Sequence, residues 1–189
     1  MAKRDPEFVA YDRRARKDEE ATDIEAFTEA YEWATGESLE VETHDDSPDA
    51  ICVMPDGTIV GVEHTRIRRS PEDARWDAIL NYRDEMSVEA TYDEIVRLVY
   101  KKAALRQRFA TEYNILLIAI YETEFRTAIA AAKLIPIEDL GDTGFDEVWL
   151  ADLRGIRDGV HRSARLFGLY PDELRSLTDH RPLDQKPYG

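Results

Sequence analysis

The chain has 189 residues, 43% of them hydrophobic, a single cysteine and a formal charge of −15. Length and apolar content are enough for one domain with a real core, which excludes overall disorder, and a lone cysteine excludes an internal disulfide. The charge excludes a protein that coats nucleic acid by bulk electrostatics, though not one with a local basic groove.

Residues 1–19 are charged, with Arg13-Arg14-Ala15-Arg16-Lys17 followed by Asp18-Glu19-Glu20. They read as a short helix or an arm in solvent. Residues 21–35 read as a helix that Thr22 or Asp23 caps and Gly36 ends. Ile24, Phe27 and Tyr31 share its apolar face, with Glu20 one turn earlier on the same face. Ser38 to His44 alternates as a strand, Leu39, Val41 and Thr43 against Glu40, Glu42 and His44. Asp45-Asp46-Ser47-Pro48 is a turn.

The next stretch, SPDAICVMPDGTIVGVEHT over 47–65, organises the rest. Two β-branched runs flank Pro55-Asp56-Gly57, the signature of a hairpin with Gly in the left-handed position. With Met54 opposite Thr58, counting sets Val53 against Ile59, Ile51 against Gly61 and Asp49 against Glu63. Opposed residues have Cβ atoms about 4.5–5.5 Å apart, and like charges there are destabilising. A cation between the carboxylates, or a proton on one of them, relieves the pair. Hard oxygen ligands of this kind suit Mg²⁺ or Mn²⁺. Cys52 alternates onto the opposite face, as a core thiol.

Pro48-Asp49, about a dozen residues, then Glu63-x-Thr65 resembles the motif of the PD-(D/E)XK nuclease superfamily, with its restriction-endonuclease-like fold. The resemblance spans roughly Glu20 to Tyr121. It implies Asp49 and Glu63 as metal ligands, the backbone carbonyl of His64 as a third, and Glu20 as an assisting acid. The sequence by itself favours Glu20 as an ordinary first-turn acid, placed by the helix dipole. Where the family usually has Lys, this chain has Thr65, which carries no charge, so the amine has to come from elsewhere. In some branches it comes from the following helix.

Arg66, Arg68 and Arg69 follow the motif directly. They read either as phosphate-positioning contacts or as a surface run that balances nearby acids. Ser70-Pro71 signals a helix start, and Trp76, Ile79, Leu80 and Tyr82 supply an apolar face for a lid or a connecting helix. Asp93 to Phe109 is strongly amphipathic, with Ile95, Leu98, Val99, Leu105 and Phe109 in one stripe. Lys102 falls near the middle of that stripe. It either meets the Asp49–Glu63 pair, as the migrated lysine of the resemblance, or lays its stem on apolar neighbours and reaches water. Arg106, one turn on, is a candidate phosphate or carboxylate contact.

Tyr113 to Tyr121 is a nearly continuous apolar run, a strand buried on both faces. Glu124 to Lys133 reads as a short helix, Leu134 to Gly144 as irregular and Phe145 to Leu153 as a strand. From Arg154 a helical extension and tail complete the chain, with basic residues that form a basic edge or a solvated face.

The expectation is one α/β domain over 1–189, with its core at about 20–153. A mixed central sheet is flanked by helices, and helix, three strands, helix and strand follow in order. The expected function is a Mg²⁺- or Mn²⁺-dependent nuclease that hydrolyses phosphodiester bonds. Asp49, Glu63, Lys102 and Thr65 form the site. Nucleic acid is the expected partner, DNA before RNA, with a homodimer or a protein partner as further options. A catalytically inactive protein of the same fold, acting as an interaction or regulatory subunit, is the alternative. No apolar run approaches the roughly 20 residues of a membrane span, and MAKRDPEF lacks a signal-peptide core, so no membrane partner and a cytoplasmic location are expected. Phosphate-cradling glycine loops, a GxSxG elbow and a Cys-rich zinc site are absent from the sequence.

Overall fold

The computed structural model describes residues 6–68, 86–106, 110–157 and 164–176. Six strands form one mixed sheet in sequence order: β1 (Glu40–His44), β2 (Ala50–Val53), β3 (Ile59–Ile67), β4 (Tyr113–Ile120), β5 (Glu147–Asp152) and β6 (Arg165–Tyr170). β1 to β3 are antiparallel neighbours, β3, β4 and β5 run parallel, and β6 returns antiparallel. Helix α1 (Pro6–Thr35) packs on one face of the sheet. Helices α2 (Val88–Arg106) and α3 (Phe125–Ala132) pack on the other. The fold is therefore α/β with a helix-flanked mixed sheet, and the described elements run helix, three strands, helix, strand through β4.

The central hairpin has the register that counting gives. Ile51 faces Gly61 and Val53 faces Ile59. Gly57 sits at φ 90°, which side chains disfavour. Its N–H donates to the Met54 carbonyl at 2.9 Å, while the Met54 N–H donates to Thr58 at 3.0 Å. Gly61 serves a different need. A Cβ there would lie 2.6 Å from Thr111 Oγ1 and 3.0 Å from Pro48 Cγ. Its absence lets the Pro48–Asp49 corner rest against β3.

Alternation along β3 sorts two sets of side chains. Val60, Val62, His64 and Arg66 face α1, and Glu63, Thr65 and Ile67 face α2. Below α1, Phe27 and Tyr31 meet Trp149 edge-on, with ring centroids 6.3 and 5.7 Å away. Cys52 is fully buried on this side, and burial pushes its thiol up to about 12. It is a core residue, as its alternation indicates.

Several boundaries differ from the sequence reading. α1 runs unbroken from Pro6, so Thr22 and Asp23 are interior residues rather than caps. The Thr22 hydroxyl instead donates to the Asp18 carbonyl at 2.9 Å. Gly36 does end the helix, at φ 80°. α2 starts earlier than Asp93 because Ser87 caps it, its Oγ accepting the Ala90 N–H at 3.2 Å. Residues 137–141, read as irregular, form the short helix α4 (Ile137–Gly141). The stretch from 154, read as a helical extension, holds only the short helix α5 (Arg154–Arg157) before β6. β6 buries Leu166, Phe167 and Leu169, and a 3-10 turn (Asp172–Ser176) follows it. The helix expected from Ser70, with Trp76, Ile79, Leu80 and Tyr82, lies outside the described residues. So do Arg69 and Phe109.

Candidate active site

Three elements bring Asp49, Glu63 and Lys102 together. Asp49 stands one residue before β2, Glu63 is in the middle of β3, and Lys102 is on the sheet-facing side of α2. Lys102 Nζ donates to Glu63 Oε1 and lies 3.7 Å from Asp49 Oδ2. The Asp49 and Lys102 side chains are each 16% exposed and that of Glu63 is 5% exposed. Lys102 therefore meets the acid pair rather than running out to water. Glu63 Oε2 is buried and accepts no hydrogen bond from the described residues. Burial pushes the Glu63 carboxyl above its ordinary range, Asp49 adds to that push, and the bond from Lys102 opposes it.

The backbone of β3 joins this group. The His64 N–H donates to Asp49 Oδ2 at 2.7 Å, which fixes one carboxylate oxygen. The His64 imidazole points the other way, with Nε2 3.0 Å from Asp23 Oδ2. Asp23 also accepts the Tyr121 hydroxyl and two nitrogens of Arg66, Nε at 3.2 Å and Nη2 at 2.9 Å. Burial alone would raise Asp23. The contacts from His64, Tyr121 and Arg66 outweigh it and hold the carboxyl below the usual range. The sheet thus has one acid cluster on each face of β3, and His64 touches both, one through its backbone N–H and the other through its imidazole.

A cleft opens beside Lys102 at the carboxyl end of β3. Glu20, Thr65, Arg68, Arg97, Lys101 and Lys102 are among its lining residues. Glu20 and Thr65, both named from the sequence, thus come together with Lys102. Arg68 is exposed at the rim. Arg66 is committed differently: it bonds Asp23 and Glu19 and stacks 5.3 Å over the Tyr121 ring. Arg106 closes α2, but its side chain is outside the described residues, as is Arg69.

Sequence reasoning missed Asp23, Lys101 and Arg97. Asp23 could have been found, because it precedes Phe27 by one helical turn and so shares the buried face. Among the described residues, no three His, Cys, Asp or Glu side chains gather as a ready metal cage. No described helix is long and apolar enough to cross a membrane. Compared with protein-family models, curated proteins and solved structures, the chain finds no match.

Proposed function

We propose that this chain is a divalent-metal-dependent nuclease of the PD-(D/E)XK type, hydrolysing phosphodiester bonds, with DNA as the first substrate to try. The observation that carries the reading is the convergence of Asp49, Glu63 and Lys102, with a buried Glu63 oxygen that has no partner among the described residues. An orphaned buried carboxylate oxygen is costly unless something visits it. Two carboxylates are a sparse donor set for Ca²⁺ but an ordinary one for Mg²⁺, which keeps waters and takes substrate phosphates as further ligands. The residues present therefore fit Mg²⁺ or Mn²⁺.

A cation held by Asp49 and Glu63 supplies Lewis acidity, neutralising charge on the scissile phosphate and acidifying water. The protein supplies the rest. The His64 N–H orients Asp49. Lys102 balances the acid pair while the site is free, and faces the developing negative charge during reaction. Thr65 offers a hydroxyl to water in the cleft. Arg68 and Lys101 stand where a phosphate backbone approaches.

The test is cleavage of plasmid DNA with and without Mg²⁺ or Mn²⁺. Wild-type protein should cut only with metal. Asp49→Ala and Lys102→Ala should each lose at least about a hundredfold, roughly the size of one lost electrostatic contact in a transition state. Equal cutting by all three proteins overturns the assignment.

A second reading keeps the fold and drops the chemistry. Thr65 stands at the position of the usual lysine, and Lys102 fills the gap between the carboxylates. In that reading the cluster is structural, and the acidic surface serves an interaction or regulatory subunit. No Tm rise on Mn²⁺ addition would favour it, because a ligand of the native state must raise stability.

A further inference from the structure

We propose that Arg126, Arg154 and Arg165 form an accessory anion site that takes a phosphate group of a polynucleotide strand. The inference rests on the polynucleotide reading above and gives that strand a second hold.

The three arginines line a separate cleft with Glu124 and Phe125, where β5 ends and α3 begins. Asp152, buried beneath, organises two of them. Arg154 donates to it from Nε at 3.0 Å and Nη2 at 3.3 Å, and Arg165 donates from Nε at 3.2 Å and from Nη2. The Arg165 guanidinium also stacks 4.7 Å over the Phe125 ring. Both forks are thus held before any ligand arrives, which lowers the entropy lost on binding. Arg126 differs from them. It is exposed and makes no ion pair or hydrogen bond among the described residues.

Of the described residues here, two are acids and three are cations. Asp152 is engaged by Arg154 and Arg165, and Glu124 is exposed. The start of α3 adds positive potential, because Glu124 at its N-cap makes no side-chain bond to the first amides. At the same turn the Thr123 hydroxyl is buried without a hydrogen-bond partner among the described residues. The three arginines, two of them with fixed guanidinium forks, and the start of α3 together favour a phosphate group.

Placement argues for a strand. The cleft at Lys102 and a second cleft share Arg66 and Arg68. The second cleft continues to Tyr121 and Glu122, beside the Glu124 of the arginine cleft. The three follow the carboxyl ends of β3, β4 and β5. Glu63 aligns with Leu116 and then Val148, four residues before Asp152. Strand spacing and rise put Asp152 about 16 Å from Glu63. One strand crosses that distance in only a few nucleotides, because its phosphates wind around the duplex as they rise along it.

The experiment is fluorescence anisotropy of labelled single-stranded and duplex DNA, in EDTA and again with Ca²⁺, across a salt series. Arg126→Glu is the main variant, since this exposed side chain makes no ion pair or hydrogen bond among the described residues. Arg126→Lys is the conservative control and Lys101→Glu reports the first cleft. Arg126→Glu should weaken binding about tenfold and flatten the salt slope by about 1, with Arg126→Lys close to wild type. If Lys101→Glu weakens binding and Arg126→Glu does not, the accessory site is wrong while the polynucleotide reading stands. If wild-type protein binds no DNA, the polynucleotide reading falls, and inorganic phosphate decides the site. A Tm rise with phosphate in wild type but not in Arg126→Glu would identify a free-phosphate site, and no rise would overturn it.

Discussion

Glu63 carries an energetic conflict that substitution can expose. It is buried beside Asp49 and balanced by Lys102 alone among the described cations. Removing one partner of a buried pair strands the other, so Lys102→Ala should cost about 3 kcal/mol, read by urea denaturation at neutral pH. Glu63→Gln removes the repulsion and keeps the shape. It should raise stability by about 1 kcal/mol while abolishing any metal-dependent cleavage, the usual trade at a functional site. A Glu63→Gln protein less stable than wild type would make the cluster a structural ion pair. The Lys102 contact was legible because helical periodicity places it mid-stripe. The commitment of Arg66 was not, because its partner Asp23 sits 43 positions away in sequence on another element. Alternation says that Arg66 and Glu63 face opposite sides of a strand, but not which helix waits there.

At the scale of elements, the hairpin and its neighbours fix where the carboxylates point. Gly61 is the tight spot. Gly61→Ala should push Pro48 and Thr111 apart and cost about 1–3 kcal/mol, with cleavage falling further than stability because Asp49 follows Pro48. Thermal melts and a cleavage assay on the same preparation separate the two effects. The hairpin register was readable from the turn residues, since β pairing has a strict period of two. β4 was readable from its unbroken apolar run. β6 was less legible because its apolar run, Leu166-Phe167-Gly168-Leu169-Tyr170, is short, interrupted by a glycine and preceded by basic residues. Its pairing to β5 closes across twelve residues, 153–164, longer than a tight hairpin loop, so no turn signal marks it. Gly168 marks another close approach: a Cβ there would sit 2.4 Å from Leu174 Cβ. Gly168→Ala should therefore loosen the 3-10 turn after β6.

Across the whole molecule, stability should peak on the acid side of neutral. Glu63 and Glu147 are raised above the ordinary 4.5 by burial. Asp49 adds to that for Glu63, while Lys102 opposes it there and Tyr31, Tyr113 and Trp149 oppose it for Glu147. A raised carboxyl binds more protons folded than unfolded, so stability grows as pH falls through its folded value towards 4.5. Relief of the −15 net charge acts in the same direction. Asp23 and Asp152 are held low, and their contribution is present above 3.8 and lost as pH falls through their folded values. Melting temperature against pH should rise from neutrality, turn over near the ordinary carboxylate values and then collapse. Glu147→Gln should flatten the rise. A curve that falls steadily from pH 7 would contradict this balance.

The central claim is that the gap between Asp49 and Glu63 takes a divalent cation. Crystals grown with Mn²⁺ test it directly through the anomalous difference map. The account predicts a peak between the two carboxylates, with Lys102 moved off Glu63. A flat map there, with Lys102 still bonded to Glu63, would contradict it.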